Sequence, residues 1–211
     1  MLRNYASENG LKLVCGVDEV GWGAFAGPYV TAAVILPPDF ESELIIDSKL
    51  ICKSKPKMVK AYKLIMDNAL SVSCCAISAK DINTIGPQPA LDKVLNDTIA
   101  GLDITPEFIL MDGNKYNPDH NIDYTLVAKG DNTFLSIAAA AIVAKYRRDA
   151  YMVKVHDIHP HYGFNSSKGY GSPKMYAGLK EHGRCSYHRT KYVDSWQSKK
   201  GIIVWIVRIV I

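Results

Sequence analysis

Three things are scarce in this chain, and each narrows what it can be. Cysteine occurs five times in 211 residues (Cys15, Cys52, Cys74, Cys75, Cys185). That odd number, without the paired spacing of a zinc site, points to reduced thiols, with Cys74 and Cys75 as small strand residues. Long apolar runs are missing, which excludes a membrane-spanning helix, and the start, MLRNYASENG, has neither the charged segment nor the apolar core of a secretory signal. The expectation is a cytoplasmic protein with no membrane partner. Acidic residues thin out towards the C-terminus. From Lys154 to Lys191 there are seven Lys or Arg (Lys154, Lys168, Lys174, Lys180, Arg184, Arg189, Lys191) against two acids, Asp157 and Glu181. The same stretch holds glycines, tyrosines and most of the histidines, as in HYGFNSSKGYGS. Charge alone leaves a solvated helical face open; aromatics among cations favour a surface for nucleic acid.

What is present reads as one α/β domain. With 48% hydrophobic and 22% charged residues, the chain can build a sizeable core. KLVCGVD and PYVTAAVIL read as buried strands, SVSCCAISA and EFILMDG as two more, and IDYTLVAKGD as a further strand or an extended loop. Residues 56–70 place Met58, Val59, Tyr62, Ile65, Met66 and Ala69 on one helical face, with Pro56 in the first turn. PALDKVLNDTIAGL is a second helix, buried through Leu91, Val94, Leu95 and Thr98. FLSIAAAAIVAKYRRDAYMVKV is a long alanine-rich helix whose cap is expected at Asp131 to Thr133. SPKMYAGLKEHG is a helix between Ser172 at its N-cap and Gly183 past its end. The expected organisation is a catalytic core over 1–150, a basic helical part over 151–200, and an apolar tail over 201–211.

The acids fall where open α/β sheets build sites. Asp18 and Glu19 end the first strand, Asp112 ends EFILMDG, and Asp131 precedes the alanine-rich helix. Each alone has a plain reading as a solvated strand end, a turn residue or a helix cap. Together, on apolar strands, they ask for a cation. Carboxylates without a His or Cys set favour Mg²⁺ or Mn²⁺, and a pair of such ions about 4 Å apart is the usual device for cleaving phosphodiesters. Gly21 and Gly23 would let the backbone approach a ligand.

DEVGWGAFAGP, DSK (Asp47 to Lys49), MDG, KGDNTFLSIAAAAIVAKYRRD and YGFNSSKGYGS followed by His188-Arg189 resemble, in order, the successive blocks of ribonuclease HII, the type 2 ribonuclease H. The resemblance implies a ribonuclease H-like mixed sheet flanked by helices. It further implies a metal-dependent endonuclease that cuts RNA in RNA/DNA hybrids and nicks 5′ of ribonucleotides embedded in duplex DNA, leaving 3′-hydroxyl and 5′-phosphate ends. By motif, the four metal-binding acids are Asp18, Glu19, Asp112 and Asp131. Asp18 and Asp112 would serve both ions, Glu19 the leaving-group side and Asp131 the nucleophile side. The turn that reads the ribose 2′-hydroxyl is Gly21, Trp22 and Gly23, and the tyrosine stacking at the RNA-to-DNA junction is Tyr170. Lys49, Lys168, Arg189 and Lys191 are candidates for the phosphate backbone.

Two departures stand out. Trp22 replaces the arginine of the usual Gly-Arg-Gly turn, which leaves junction preference open, and Ala141 stands where a serine is common. A ribonuclease HIII-like enzyme is an alternative, although only about ten residues precede the first strand. A non-catalytic nucleic-acid binding module and a metal hydrolase of small esters also stay open. The chain is expected to be a monomer. Its tail, GIIVWIVRIVI, is read as an added strand or as a segment contacting a protein such as a sliding clamp, though it lacks the glutamine-led aromatic pattern of a clamp ligand.

Overall fold

Branched residues between positions 13 and 36 build the two central strands. The structure, a computed structural model, describes residues 2–45, 51 and 54–199. Lys49, with its DSK block, and the tail over 201–211 lie outside the described residues. A short helix, α1 (Tyr5–Asn9), is capped by the Asn4 side chain, which accepts from the Ser7 N–H. β1 (Val14–Val20) and β2 (Tyr29–Ile35) then pair antiparallel, from Cys15 opposite Ile35 to Val20 opposite Val30. β3 (Ser71–Ile77) adds antiparallel to β2, while β4 (Phe108–Asp112) and β5 (Tyr124–Val127) add in parallel on the other side of β1. The order is β3-β2-β1-β4-β5. Within IDYTLVAKGD, Tyr124–Val127 is therefore a strand.

Helices cover both faces of the sheet. α2 (Lys55–Asn68) buries Met58, Ala61 and Ile65. Val59 and Met66, expected on that face, are exposed, because the contact is a stripe through Ala61 rather than a wide face. After α3 (Ala79–Ile85), α4 (Pro87–Ala100) packs Leu91, Val94 and Leu95 against Cys15, Val17 and Met111. On the opposite face α5 (Leu135–Ile158) meets Val30, Ala32 and Val34. Its consecutive alanines Ala138–Ala141 are all buried, so this helix has no solvent face along its first half. A Cβ on Gly16 would lie 2.0 Å from the Ser136 carbonyl carbon. Glycine in β1 thus lets the start of α5 press directly on the strand that carries Asp18.

The expected cap of α5 is corrected. Gly130–Asn132 form one 3₁₀ turn, Phe134 is extended, and α5 begins at Leu135 without a side-chain cap bond. Asp131 is left to another task. The boundary expected at residue 150 falls inside α5, which runs through it unbroken. The far end of α5 supplies Met152 and Val155 to a separate apolar cluster with Tyr162, Phe164, Met175 and Val193. That cluster ties in α6 (Phe164–Ser167), α7 (Pro173–His182) and α8 (Thr190–Lys199). Ser172 caps α7 through the Met175 N–H, and Gly183 follows with φ 70°, as the sequence predicts. Among the described residues no helix is long and apolar enough to cross a membrane.

Candidate active site

Three chain segments deliver four carboxylates to one cavity. Asp18 and Glu19 come from the end of β1, Asp112 from the end of β4, and Asp131 from the 3₁₀ turn ahead of α5. All four line a cavity of about 350 Å³, together with Gly21, Trp22, Lys145 and Tyr170. The adjacent Asp18 and Glu19 both line it although β1 stays paired with β2 through Val20, and the chain turns only after that pair, from Gly21. A larger cavity, about 490 Å³, lies against β3 beside Cys74, Arg147 and Tyr151. No carboxylate is among the described residues that line it, whereas four line the smaller one.

The electrostatics of the smaller cavity suit a cation. Asp18 is buried, and one of its oxygens accepts from the Glu19 N–H at 2.7 Å. Burial holds its carboxyl well above the ordinary range, and the charges of Glu19, Asp112 and Asp131 push it further. Asp112 accepts from the Gly130 N–H at 2.8 Å, which fixes the 3₁₀ turn to β4 and so places Asp131. Asn132 donates to Asp131 at 3.2 Å. Hard oxygen donors that repel one another across a shared cavity fit a divalent ion such as Mg²⁺ or Mn²⁺. Among the described residues no three His, Cys, Asp or Glu side chains are gathered tightly enough to coordinate an ion as they stand. Rotations of these carboxylates would have to close the set.

The glycine turn divides into two roles. Gly21 (φ 112°) has no room for a side chain, since a Cβ would lie 2.6 Å from Arg148 Nε and 2.7 Å from the Pro28 carbonyl oxygen. Gly23 (φ 75°) faces open space within 4 Å and is the glycine that a ligand can approach. Trp22 between them is 45% exposed.

Arg189 is a correction. Expected on the phosphate backbone, it is fully buried and donates to the carbonyls of Gly27, Gly21 and Pro28 at 2.8, 2.6 and 2.9 Å. Burial lowers its pKa to about 10, which keeps it charged at neutral pH. Arg148, which sequence reasoning missed, does the same from α5 through Pro28, Lys168 and Ala26 at 3.0, 2.8 and 3.1 Å. Arg148 therefore ties residues 26–28 to the turn that carries Tyr170, while Arg189 fastens Gly21 to Gly27 and Pro28. Lys168 sits in that turn with φ 52°, and its ammonium donates to the Asn165 carbonyl. Burial also lowers its pKa. Lys191 lines a different cavity, beside Phe25, Tyr192 and Trp196. Lys145, also missed, reaches the acid cavity while paired with Asp149 at 2.7 Å. Its only sequence signal is the four-residue spacing to that aspartate.

The family model for ribonuclease HII matches residues 15–198. The chain belongs to the ribonuclease HII family. Ribonuclease HII of Bacteroides thetaiotaomicron is 37% identical over 192 residues, covering 91% of this chain and 94% of that protein. The fold is similar to the crystal structure of ribonuclease H2 from Pyrococcus horikoshii OT3, with a TM-score of 0.76 at 19% identity over 90% of this chain and 98% of the other. It is also similar to Bst-RNase HIII in complex with Mn²⁺, with a TM-score of 0.68 at 19% identity over 94% of this chain and 73% of that one. As a member of the ribonuclease HII family, the chain is a ribonuclease, a hydrolase of phosphodiester bonds, acting on the RNA strand of RNA/DNA hybrids.

Proposed function

We propose that this member of the ribonuclease HII family also nicks duplex DNA on the 5′ side of an embedded ribonucleotide, and that Asp18, Glu19, Asp112 and Asp131 hold two divalent ions, Mg²⁺ or Mn²⁺, for both reactions. The observation that carries this is the convergence of the four acids on one cavity that Gly21, Trp22 and Tyr170 also line. Two ions so held would supply a nucleophilic water and charge for the leaving oxygen. The remaining work falls to this chain's own residues. Backbone N–H groups of the turn at Gly23 meet the ribose, where a 2′-hydroxyl offers the bonds that deoxyribose lacks. Tyr170 stacks at the junction beyond the ribose. Arg148 and Arg189 keep turn and tyrosine in register. Calorimetric titration with Mn²⁺ tests the ion assignment: the wild type should release heat on binding and Asp112→Asn should lose most of it. Equal binding by both proteins would overturn the assignment.

A further inference from the structure

A tryptophan left 45% exposed at the rim of a catalytic cavity is an unusual use of the largest apolar side chain. Trp22 is not loose there. Its ring stacks on Tyr29, with centroids 5.6 Å apart and planes 27° from parallel. Tyr29 is fully buried, its hydroxyl is 3.0 Å from that of Tyr192, and the Arg189 guanidinium sits 4.2 Å from its ring centroid. Arg189 is in turn pinned by three carbonyls of the same loop. The buried Tyr29 ring is thus in contact with both the exposed indole and the buried cation. On the same cavity Tyr170 repeats the plan on a smaller scale, with the Arg148 guanidinium 5.3 Å from its ring. Each exposed ring is thus linked to a buried, backbone-anchored cation, Tyr170 directly and Trp22 through Tyr29.

The position suits one kind of contact. An indole ring offers a phosphate one N–H donor and no charge, whereas its broad face suits the face of a sugar and base. An uncharged ring beside four carboxylates offers apolar contact without adding to their field. We propose that Trp22 is a specificity-determining residue of this site, a stacking platform for the sugar–base face of a nucleotide next to the scissile position, with Tyr29 and Arg189 as its positioning residues. The proposal rests on the ribonuclease reading of the site. Affinity from such a platform is little screened by salt, unlike that from phosphate contacts.

The test needs Trp22 as sole reporter, obtained by replacing Trp196 and Trp205 with phenylalanine. Titrating this protein in metal-free, low-salt buffer with a duplex that carries one ribonucleotide should quench and shift the Trp22 emission. In steady-state cleavage of that duplex, Trp22→Ala should raise KM about tenfold while kcat stays within about twofold, the pattern of a lost binding contact. Trp22→Phe, which keeps a ring, should restore most of the loss. Tyr29→Leu should copy Trp22→Ala, and Tyr29→Phe should not. The salt dependence of binding should have the same slope in wild type and Trp22→Ala, and a steeper one in Trp22→Arg. An emission unmoved by the duplex, or an unchanged KM in Trp22→Ala, overturns the platform. Absence of cleavage by the wild type would instead count against the ribonuclease reading, and the fluorescence titration would still decide on Trp22.

Discussion

Asp18 shows how one residue can be costly to the fold and yet stand where a cation would be held. It ends a buried strand beside three other carboxylates, and burial plus their charge raises its pKa. A carboxyl raised in this way contributes stability that is present below its unfolded-state pKa and lost as pH rises through the folded one. The metal-free protein is therefore penalised at neutral pH. Asp18→Asn should remove that penalty, raising the melting temperature at pH 7 in metal-free buffer by about 2–4 °C, equivalent to ~1 kcal/mol for a chain of this size. The gain should vanish on acidification, and cleavage should fall by orders of magnitude. Calorimetric melting at pH 7 and near pH 4 checks the first part. A lower melting temperature at pH 7 would show that Asp18 is held by contacts worth more than the repulsion. Arg189 is the opposite case: a charged residue in a basic stretch, expected on the phosphates, whose fork is spent on three carbonyls.

The elements were legible in proportion to how local their causes are. β1 and β2 follow from branched residues, α7 from Ser172 and Gly183, and the acids of the site from their places at strand ends. The start of α5 was misplaced, because Asp131, Asn132 and Thr133 look like caps in isolation. The Asp112 bond to the Gly130 N–H, made across 18 residues, turns that segment into a 3₁₀ turn instead. Arg148 was illegible for a similar reason, since its partners Ala26, Pro28 and Lys168 are distant in sequence. Packing of α5 on β1 yields a prediction on this scale. Gly16→Ala drives a methyl group into the backbone of Ser136 and should cost at least about 2 kcal/mol, because backbone cannot rotate away as a side chain can. Gly23→Ala meets nothing within 4 Å and should cost about 1 kcal/mol from its left-handed backbone alone. Urea unfolding of both variants measures the difference; equal losses would contradict the packing account.

Across the whole molecule, β1 and β4 supply three of the four acids and the 3₁₀ turn ahead of α5 the fourth, while the far end of α5 packs against the C-terminal helices. His188 joins these parts. Its ring is buried against Tyr162, its Nδ1 accepts from the Cys185 N–H at 3.0 Å, and its carbonyl accepts from the Asn83 amide on α3. Burial lowers its pKa to about 4. The stability it contributes is present above the ordinary value near 6.5 and is lost as pH falls towards about 4. Melting temperature should decline over that window, and His188→Gln, which cannot take up the proton, should flatten the decline. An unaltered profile in the variant would move the acid sensitivity to another group. The central claim, that four carboxylates and a glycine turn make a ribose-selective nuclease, is tested most directly by one experiment. An end-labelled DNA duplex with a single ribonucleotide, incubated with Mg²⁺ or Mn²⁺, should be cut once on the 5′ side of that ribonucleotide to give 3′-hydroxyl and 5′-phosphate ends, with the all-DNA duplex intact and no cutting after chelation. Equal cutting of the all-DNA duplex, or cutting that survives chelation, would contradict it.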